Sequence, residues 1–292
     1  MGSDIKPAGI TRVGVLGSGI MGSGIAQVAA RSGYEVVLRS RQQSTAEATV
    51  AAMEKGLASQ VDKGKIDEAD KVAALSRVTA TSAIGDLGEC DLIIESVVED
   101  LETKMKLFQE LNHVCKDDAI LATNTSTLPV IELAMETHKP DKVCGIHFFN
   151  PAPMMALVEI VRPLTASDET IAAVRSFAES CGKSPVEVKD RAGFIVNALL
   201  FPYLNNAVRM LENGTASRDD IDSAMKGGCN FPMGPLALLD LVGLDTSVSI
   251  LDALYSEFRD PNYAAMPLLR RMVSAGQLGR KSGQGFYDYS RR

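Results

Sequence analysis

Apolar runs of four to seven residues alternate with segments of helical spacing through the first half of the chain. Runs at 12–16, 35–39, 77–80, 91–97, 119–123 and 143–148 read as strands, and the alternation is what a doubly wound parallel sheet requires. Between the second and third runs, residues 44–75 place Val50, Met53, Leu57 and Val61 on one helical face. This spacing predicts a helical arm, broken at DKGK (62–65) and resumed by IDEADKVAAL. The arm is either a solvated helix pair or a clamp over the polar end of a ligand, with Lys63 and Lys65 at its tip. From Ser167 the pattern changes. A helix is expected at 168–181 and a last strand at SPVEVKD, followed by GFIVNALLFPYLNNAVRMLENG, which is apolar over much of a helical circumference. SRDDIDSAMKGG, PLALLDLVGLDTSVSILDALYSEF and PLLRRMVSAG also read as helices. These shifts place a domain boundary near Lys189, giving segments 1–188 and 189–292.

The first strand runs straight into TRVGVLGSGIMGSG, with glycines spaced G-x-G-x-x-G at Gly17, Gly19 and Gly22. Gly17 suits a positive φ, Gly19 lets a pyrophosphate approach the backbone, and Gly22 allows close packing of the helix on its strand. The loop Gly17, Ser18, Gly19, Ile20, Met21 and Gly22 then faces phosphates with the free N–H groups of a helix start. A purely structural glycine turn is the alternative. The strand before it, the helix IAQVAARSG with its glycine stop, and the second strand YEVVL favour the dinucleotide site. The fold class expected is therefore α/β, an N-terminal Rossmann-type doubly wound sheet with a helical arm, plus an all-α C-terminal domain.

The remaining composition narrows the partners. At 292 residues the chain accommodates two domains. Its formal charge of −7 argues against nucleic acid, and no apolar run reaches the roughly 18 residues needed to span a membrane. MGSDIKPAGI has no apolar signal region, so a cytoplasmic location is expected. Five cysteines at 90, 115, 144, 181 and 229 include no C-x-x-C and read as reduced core thiols rather than disulfides or a metal site.

Of three histidines, His113 and His138 lie in polar surroundings and read as surface residues. His147 lies in VCGIHFF, which ends at NPAPM and is followed by ALVEIVR. A hairpin centred on Pro153 puts Glu159 opposite His147, with Cβ atoms about 4.5–5.5 Å apart. A carboxylate partner fixes the imidazole tautomer and stabilises its cation, as a group that takes and returns a proton needs. A satisfied histidine at a strand end is the plainer possibility. Ser126 follows a strand in LATNTST, at the carboxyl edge where open α/β sheets bind ligands; capping the helix LPVIELA is its alternative role. Asn197 is a polar residue in an apolar helix, to be satisfied by the core or by a ligand. No G-x-S-x-G hydrolase signature is present.

GSGIMGSGIAQVAA, IIESVVEDLETK, LATNTSTL, GIHFFNPAPMMALVEIV, DRAGFIVNALLFPYLNNAV, DIDSAMKGG, FPMGPLALLDLVGLDT and GRKSGQGFYDY together resemble the L-3-hydroxyacyl-CoA dehydrogenase family, in its stand-alone members acting on 3-hydroxybutyryl-CoA. The resemblance covers nearly the whole chain. It implies an NAD(P)-dependent enzyme interconverting short-chain 3-hydroxyacyl-CoA and 3-ketoacyl-CoA, with a dinucleotide-binding domain and a helical C-terminal domain that forms a homodimer. It implies that His147 is the general base or acid, Glu159 its orienting partner, and Ser126 and Asn197 ligands of the reacting oxygen and neighbouring carbonyl. Glu99, Lys104, Ser126, Asn150 and Lys281 match positions used around the cofactor. Lys63 matches a lysine that contacts the CoA end, which tilts the arm toward the clamp; where the family has a nearby serine, this chain has Gly56.

One departure bears on the cofactor. The family commonly ends its second strand with an aspartate that binds the adenosine ribose; this strand ends VVLRSRQQ, with Ser40 at that place between Arg39 and Arg41. A carboxylate repels a 2′-phosphate, whereas a hydroxyl and guanidinium groups attract one. NADP(H) is therefore favoured over NAD(H), the alternative being a polar strand end that still accepts NAD. Dehydrogenases of the 3-hydroxyisobutyrate and 6-phosphogluconate type use a lysine on the helix that opens the second domain, where this chain offers Asn197. A non-catalytic nucleotide-binding relative is the remaining alternative, against which His147, Glu159, Ser126 and Asn197 are all intact.

Overall fold

The apolar runs of the N-terminal half pair into one eight-stranded sheet. In this computed structural model, which describes residues 9–290, the chain forms two compact units that divide between Asp190 and Arg191. The first contains β1 (Arg12–Leu16), α1 (Ile20–Arg31), β2 (Glu35–Arg39), α2 (Gln43–Asp62), α3 (Glu68–Ser76), β3 (Val78–Thr81) and β4 (Leu92–Glu95). It continues through α4 (Leu101–Val114), β5 (Ile120–Thr123), α5 (Val130–Ala134), β6 (Val143–Phe148), β7 (Leu157–Arg162), α6 (Asp168–Ser180) and β8 (Ser184–Lys189).

The order across the sheet is β3-β2-β1-β4-β5-β6-β7-β8. Strands β1 to β6 run parallel, β7 returns antiparallel to β6, and β8 runs parallel to β7. Every residue of β4, β5 and β6 is buried, as expected of strands covered on both faces, which read as continuous apolar runs. The chain reverses its direction of winding between β1 and β4, so the turns after these two strands open on the crevice where doubly wound sheets bind ligands.

The 44–75 arm is a helix pair that closes over the sheet. Met53 and Leu57 of α2 and Ala74 of α3 join Val13, Val36, Leu38 and Ile25 in one core, with Val50 packed against it. The break falls at Lys63 and Gly64, where φ is +65°, and Asp67 caps α3 by accepting from the Asp70 amide at 2.7 Å. Leu57 is fully buried, and truncating such a leucine to alanine costs about 2–5 kcal/mol.

Three expected boundaries move. The strand expected over 91–97 stops at Glu95, because the Val97 amide turns back to the Glu95 carboxylate at 2.6 Å instead of joining the ladder. The helix expected from Gly193 begins at Val196, since Gly193 and Phe194 both adopt positive φ. The long segment 235–258 is two helices, broken at Gly243 with φ +104°.

The second unit holds α7 (Val196–Glu212), α8 (Arg218–Cys229), α9 (Pro235–Val242), α10 (Leu244–Phe258) and α11 (Pro267–Ser274). Phe201, Leu204, Val208, Leu236, Leu251 and Leu269 lie in its core. Three buried polar side chains tie its connections to the helices. Asp222 accepts from the Leu236 and Ala237 amides at 2.8 and 3.0 Å and so caps α9. Asp240 accepts from the Phe286 and Tyr287 amides, both at 2.9 Å, and pins the C-terminal segment. Asn205 brackets the stretch before α11, donating to the Ala264 carbonyl at 2.8 Å and accepting from the Met266 amide at 3.0 Å.

Candidate active site

The glycine turn has the geometry its spacing requires. Gly17 has φ +116°, and a Cβ there would overlap the Ser96 carbonyl; one at Gly22 would overlap the Gly17 carbonyl. At Gly19 a Cβ would meet nothing within 4 Å, so this backbone faces open space. Gly19 is also the N-cap of the 12-residue α1, and no side chain caps it. An uncapped helix start beside open backbone is a cradle for phosphate oxygens, so the turn fits a dinucleotide.

The residues after β2 divide their work. The Gly17 amide donates to the Arg39 carbonyl at 3.0 Å, closing the turn onto β2. The Arg39 guanidinium donates to the Ser82 carbonyl at 3.3 Å. Ser40 is buried, and its hydroxyl lies 3.0 Å from that of Ser18 in the glycine turn. Arg41 is exposed. Two hydroxyls thus meet where a ribose-binding carboxylate is expected in the family.

Beneath the carboxyl ends of β4 and β5 lies a buried ion pair that the sequence reading named only in part. Lys104 of α4 and Glu95 of β4 are both fully buried, with the ammonium 2.8 and 2.9 Å from the two carboxylate oxygens. Lys104 also lies 3.1 Å from Glu99 Oε2. Glu99 Oε1 accepts from the Thr125 hydroxyl at 2.5 Å, the Ser126 amide at 2.8 Å and the Ser126 hydroxyl at 3.3 Å. Burial opposes ionisation of Glu99, but the Lys104 ammonium and these donors outweigh it and hold its carboxyl below the ordinary value. Ser126 does not cap α5. Asp190 does, accepting from the Val130 and Ile131 amides at 3.0 and 2.7 Å.

The β6–β7 register pairs His147 with Glu159, as reflection about Pro153 predicts. His147 Nδ1 lies 2.7 Å from Glu159 Oε2, with the His147 side chain 9% exposed and that of Glu159 fully buried. The Phe149 ring centroid stands 4.5 Å from that of the imidazole. The end of β6 is held by Asn124, which accepts from the Phe148 amide at 2.8 Å. The turn that follows is braced twice. Lys183 donates to the Ala152 and Met155 carbonyls at 2.6 and 2.9 Å, and Gly24 of α1 leaves room for Ala152 and Pro153 against the helix. Asn150 is exposed at the start of this turn.

The other candidates lie apart from this cluster in the chain. Lys63 is exposed at the end of α2. In the second unit, Asn197 is buried in the first turn of α7, and Lys281 pairs with Asp245 at 2.5 and 2.7 Å. His113 and His138 are exposed. The expectation of core thiols fails for Cys229, which is exposed, and for the half-buried Cys181: Cys229 ends a surface helix in a turn where Asn230 has positive φ. Burial pushes the Cys90 and Cys144 thiols up to about 12, so neither is a thiolate at neutral pH. Glu95, Thr125, Asn124 and Lys183 were missed by sequence reasoning. Only Glu95 left a signal there, a carboxylate ending the apolar run LIIE.

Residues 12–191 match the NAD binding domain of 3-hydroxyacyl-CoA dehydrogenase, and residues 193–289 match its C-terminal domain. The chain is 49% identical over 280 residues to a 3-hydroxybutyryl-CoA dehydrogenase of Clostridioides difficile, covering 96% of this chain and 100% of that protein. It is 41% identical over 288 residues to a mitochondrial hydroxyacyl-coenzyme A dehydrogenase of Sus scrofa, covering 96% and 91%. Among solved structures, (S)-3-hydroxybutyryl-CoA dehydrogenase from Ralstonia eutropha superposes with a TM-score of 0.94 at 43% identity, covering 97% of this chain and 100% of that one.

Proposed function

The chain belongs to the 3-hydroxyacyl-CoA dehydrogenase family, and on that basis we propose that it interconverts 3-hydroxybutyryl-CoA and acetoacetyl-CoA with a nicotinamide dinucleotide as co-substrate. The observation that carries this reading is the buried His147–Glu159 pair at 2.7 Å, borne by a sheet whose first turn is open to phosphate. Residues 1–188 take the dinucleotide, and residues 189–292 contribute to substrate binding and pairing of subunits.

The dinucleotide, when bound, supplies the place to which hydride leaves C3 and from which it returns. Gly17, Ser18, Gly19, Ile20, Met21 and Gly22 bind its phosphates, and Glu99, Asn150 and Lys281 complete its surroundings, with the fully buried Lys104 behind Glu99. Glu159 accepts from Nδ1–H of His147, which fixes the tautomer and leaves Nε2 as the atom that takes the C3 hydroxyl proton. As the imidazole becomes cationic, the buried Glu159 carboxylate stabilises it. In the reducing direction His147 returns that proton to the forming hydroxyl. Ser126 and Asn197 donate to the substrate oxygens, so that charge developing on them meets fixed dipoles. Lys63 meets the phosphates of the CoA end.

Ser40 and Ser18 supply hydroxyls, and Arg41 a guanidinium, for a 2′-phosphate on the adenosine ribose, so NADP(H) is the preferred form. Leu199, Met210, Phe231 and Leu241 are large apolar side chains at least 42% exposed in the second unit, and a homodimer covers them. Unpaired cysteines suit a reducing compartment, the cytosol.

Initial rates with acetoacetyl-CoA and each of NADH and NADPH test the reading. Turnover with a higher kcat/KM for NADPH is expected. Absence of turnover with either would overturn the reaction assignment, and a preference for NADH would overturn only the cofactor choice.

A further inference from the structure

The Glu95–Lys104 pair is the part of the site whose presence most needs a reason. Both side chains are fully buried. An ion pair in that position costs desolvation that its own attraction does not reliably repay, and well-packed apolar residues would serve stability as well. Its hydrogen bonds run in one direction, toward the carboxyl edge of the sheet. Glu95 collects the Lys104 ammonium, the Val97 amide at 2.6 Å and the Thr123 hydroxyl at 2.6 Å. Lys104 passes on to Glu99 Oε2 at 3.1 Å. Glu99 Oε1 then gathers the amides of Ser126 and Thr127 and the hydroxyls of Thr125 and Ser126. The chain of contacts begins at a fully buried carboxylate and ends at a half-buried serine on the ligand edge.

We propose that Glu95 is a positioning residue: it fixes Lys104, which holds Glu99, which sets the backbone and hydroxyl of Ser126. Lys104 on this account is a strut behind Glu99, since no part of its side chain is exposed. A lysine has three donors on a flexible stem and by itself prescribes no direction. Two carboxylate oxygens on one side, with Glu99 on the other, give it one. The proposal rests on the reading of Ser126 as a substrate ligand.

A double-mutant cycle on the full-length enzyme tests both, with kcat/KM on acetoacetyl-CoA and the dissociation constant of the reduced dinucleotide as readouts. Glu95→Gln keeps the volume and removes the charge. It should lower kcat/KM on acetoacetyl-CoA at saturating dinucleotide by roughly tenfold to a hundredfold, the cost of misplacing a group by about 1 Å; the dinucleotide dissociation constant, read separately because Glu99 also borders that ligand, should rise by a smaller factor. In the Ser126→Ala background the same substitution should cost less than about threefold, because the group it positions is already gone. Should Glu95→Gln fail to fold, Thr123→Val carries the test: it removes one hydrogen bond to the same carboxylate with little change of shape. Its smaller loss should likewise vanish in Ser126→Ala. A loss of equal factor in both backgrounds, or near-wild-type activity in Glu95→Gln, would overturn the proposal and leave Ser126 in place. Ser126→Ala with wild-type rates would remove the role of Ser126 itself, and the positioning role with it.

Discussion

At the scale of single residues, the pair proposed to move the proton and the groups proposed to meet the ribose should be separable. His147→Gln should abolish turnover, a loss of at least about 10²–10⁴ in kcat, with dinucleotide affinity nearly unchanged, since the imidazole acts on the substrate hydroxyl. Near-wild-type kcat in that variant would sink the assignment. Glu159→Gln should keep part of the activity with a lowered kcat, because the imidazole keeps a hydrogen-bond partner but loses the carboxylate opposite it. Cofactor choice answers to other atoms. One charge-assisted contact to a phosphate contributes about 1.5–3 kcal/mol, or roughly tenfold to a hundredfold in affinity. Ser40→Asp combined with Arg41→Gln should therefore shift kcat/KM toward NADH by about that factor and leave kcat at saturating cofactor unchanged. Arg39 is omitted from this variant, since its guanidinium is directed to the Ser82 carbonyl.

At the scale of elements, acid should loosen the sheet at a definable joint. Asp91, just before β4, accepts from the Thr11 and Arg12 amides at 2.7 and 2.9 Å and from Lys116 at 2.5 Å, tying the start of β1 to β4. Partial burial works against its charge, but Lys116 and the amides prevail and hold the carboxyl down at about 2. Its folded value lies below its unfolded one, so the stabilisation is complete above about pH 4 and is lost as pH falls through about 2. Screening at this partly exposed site limits the contribution to about 1 kcal/mol. Asp91→Asn should lower the thermal midpoint at pH 7 and narrow the gap to wild type by pH 2, as followed by circular dichroism. The strands and the His147–Glu159 register were legible because they follow from short apolar runs and from turn length, both local properties of the sequence. The Glu95–Lys104–Glu99 relay was not. Its contacts join the ends of β4, α4 and the loop after β5, and no spacing rule relates residues brought together by three separate connections. The Val97 amide had two possible partners, ladder or side chain, and only tertiary structure decides between them.

At the scale of the whole molecule, the second unit has about a hundred residues in which to bury helices that are apolar on several sides. Sedimentation at micromolar protein should show a dimer, and a concentration-independent monomer would refute the pairing of subunits. The hairpin of β6 and β7 has a different reach. Because His147 and Glu159 meet through strand register, their alignment depends on the number of residues between them as much as on their identities. One residue inserted into 150–156 would turn one member of the pair to the opposite face of the sheet, while the strands could still pair. The same insertion at 63–66, the bend between α2 and α3, displaces no ladder. Tolerance to insertions and deletions should therefore be unequal along the chain. Length variation between natural relatives, or in a library built on this sequence, should collect at the helical bend and be excluded from the hairpin turn.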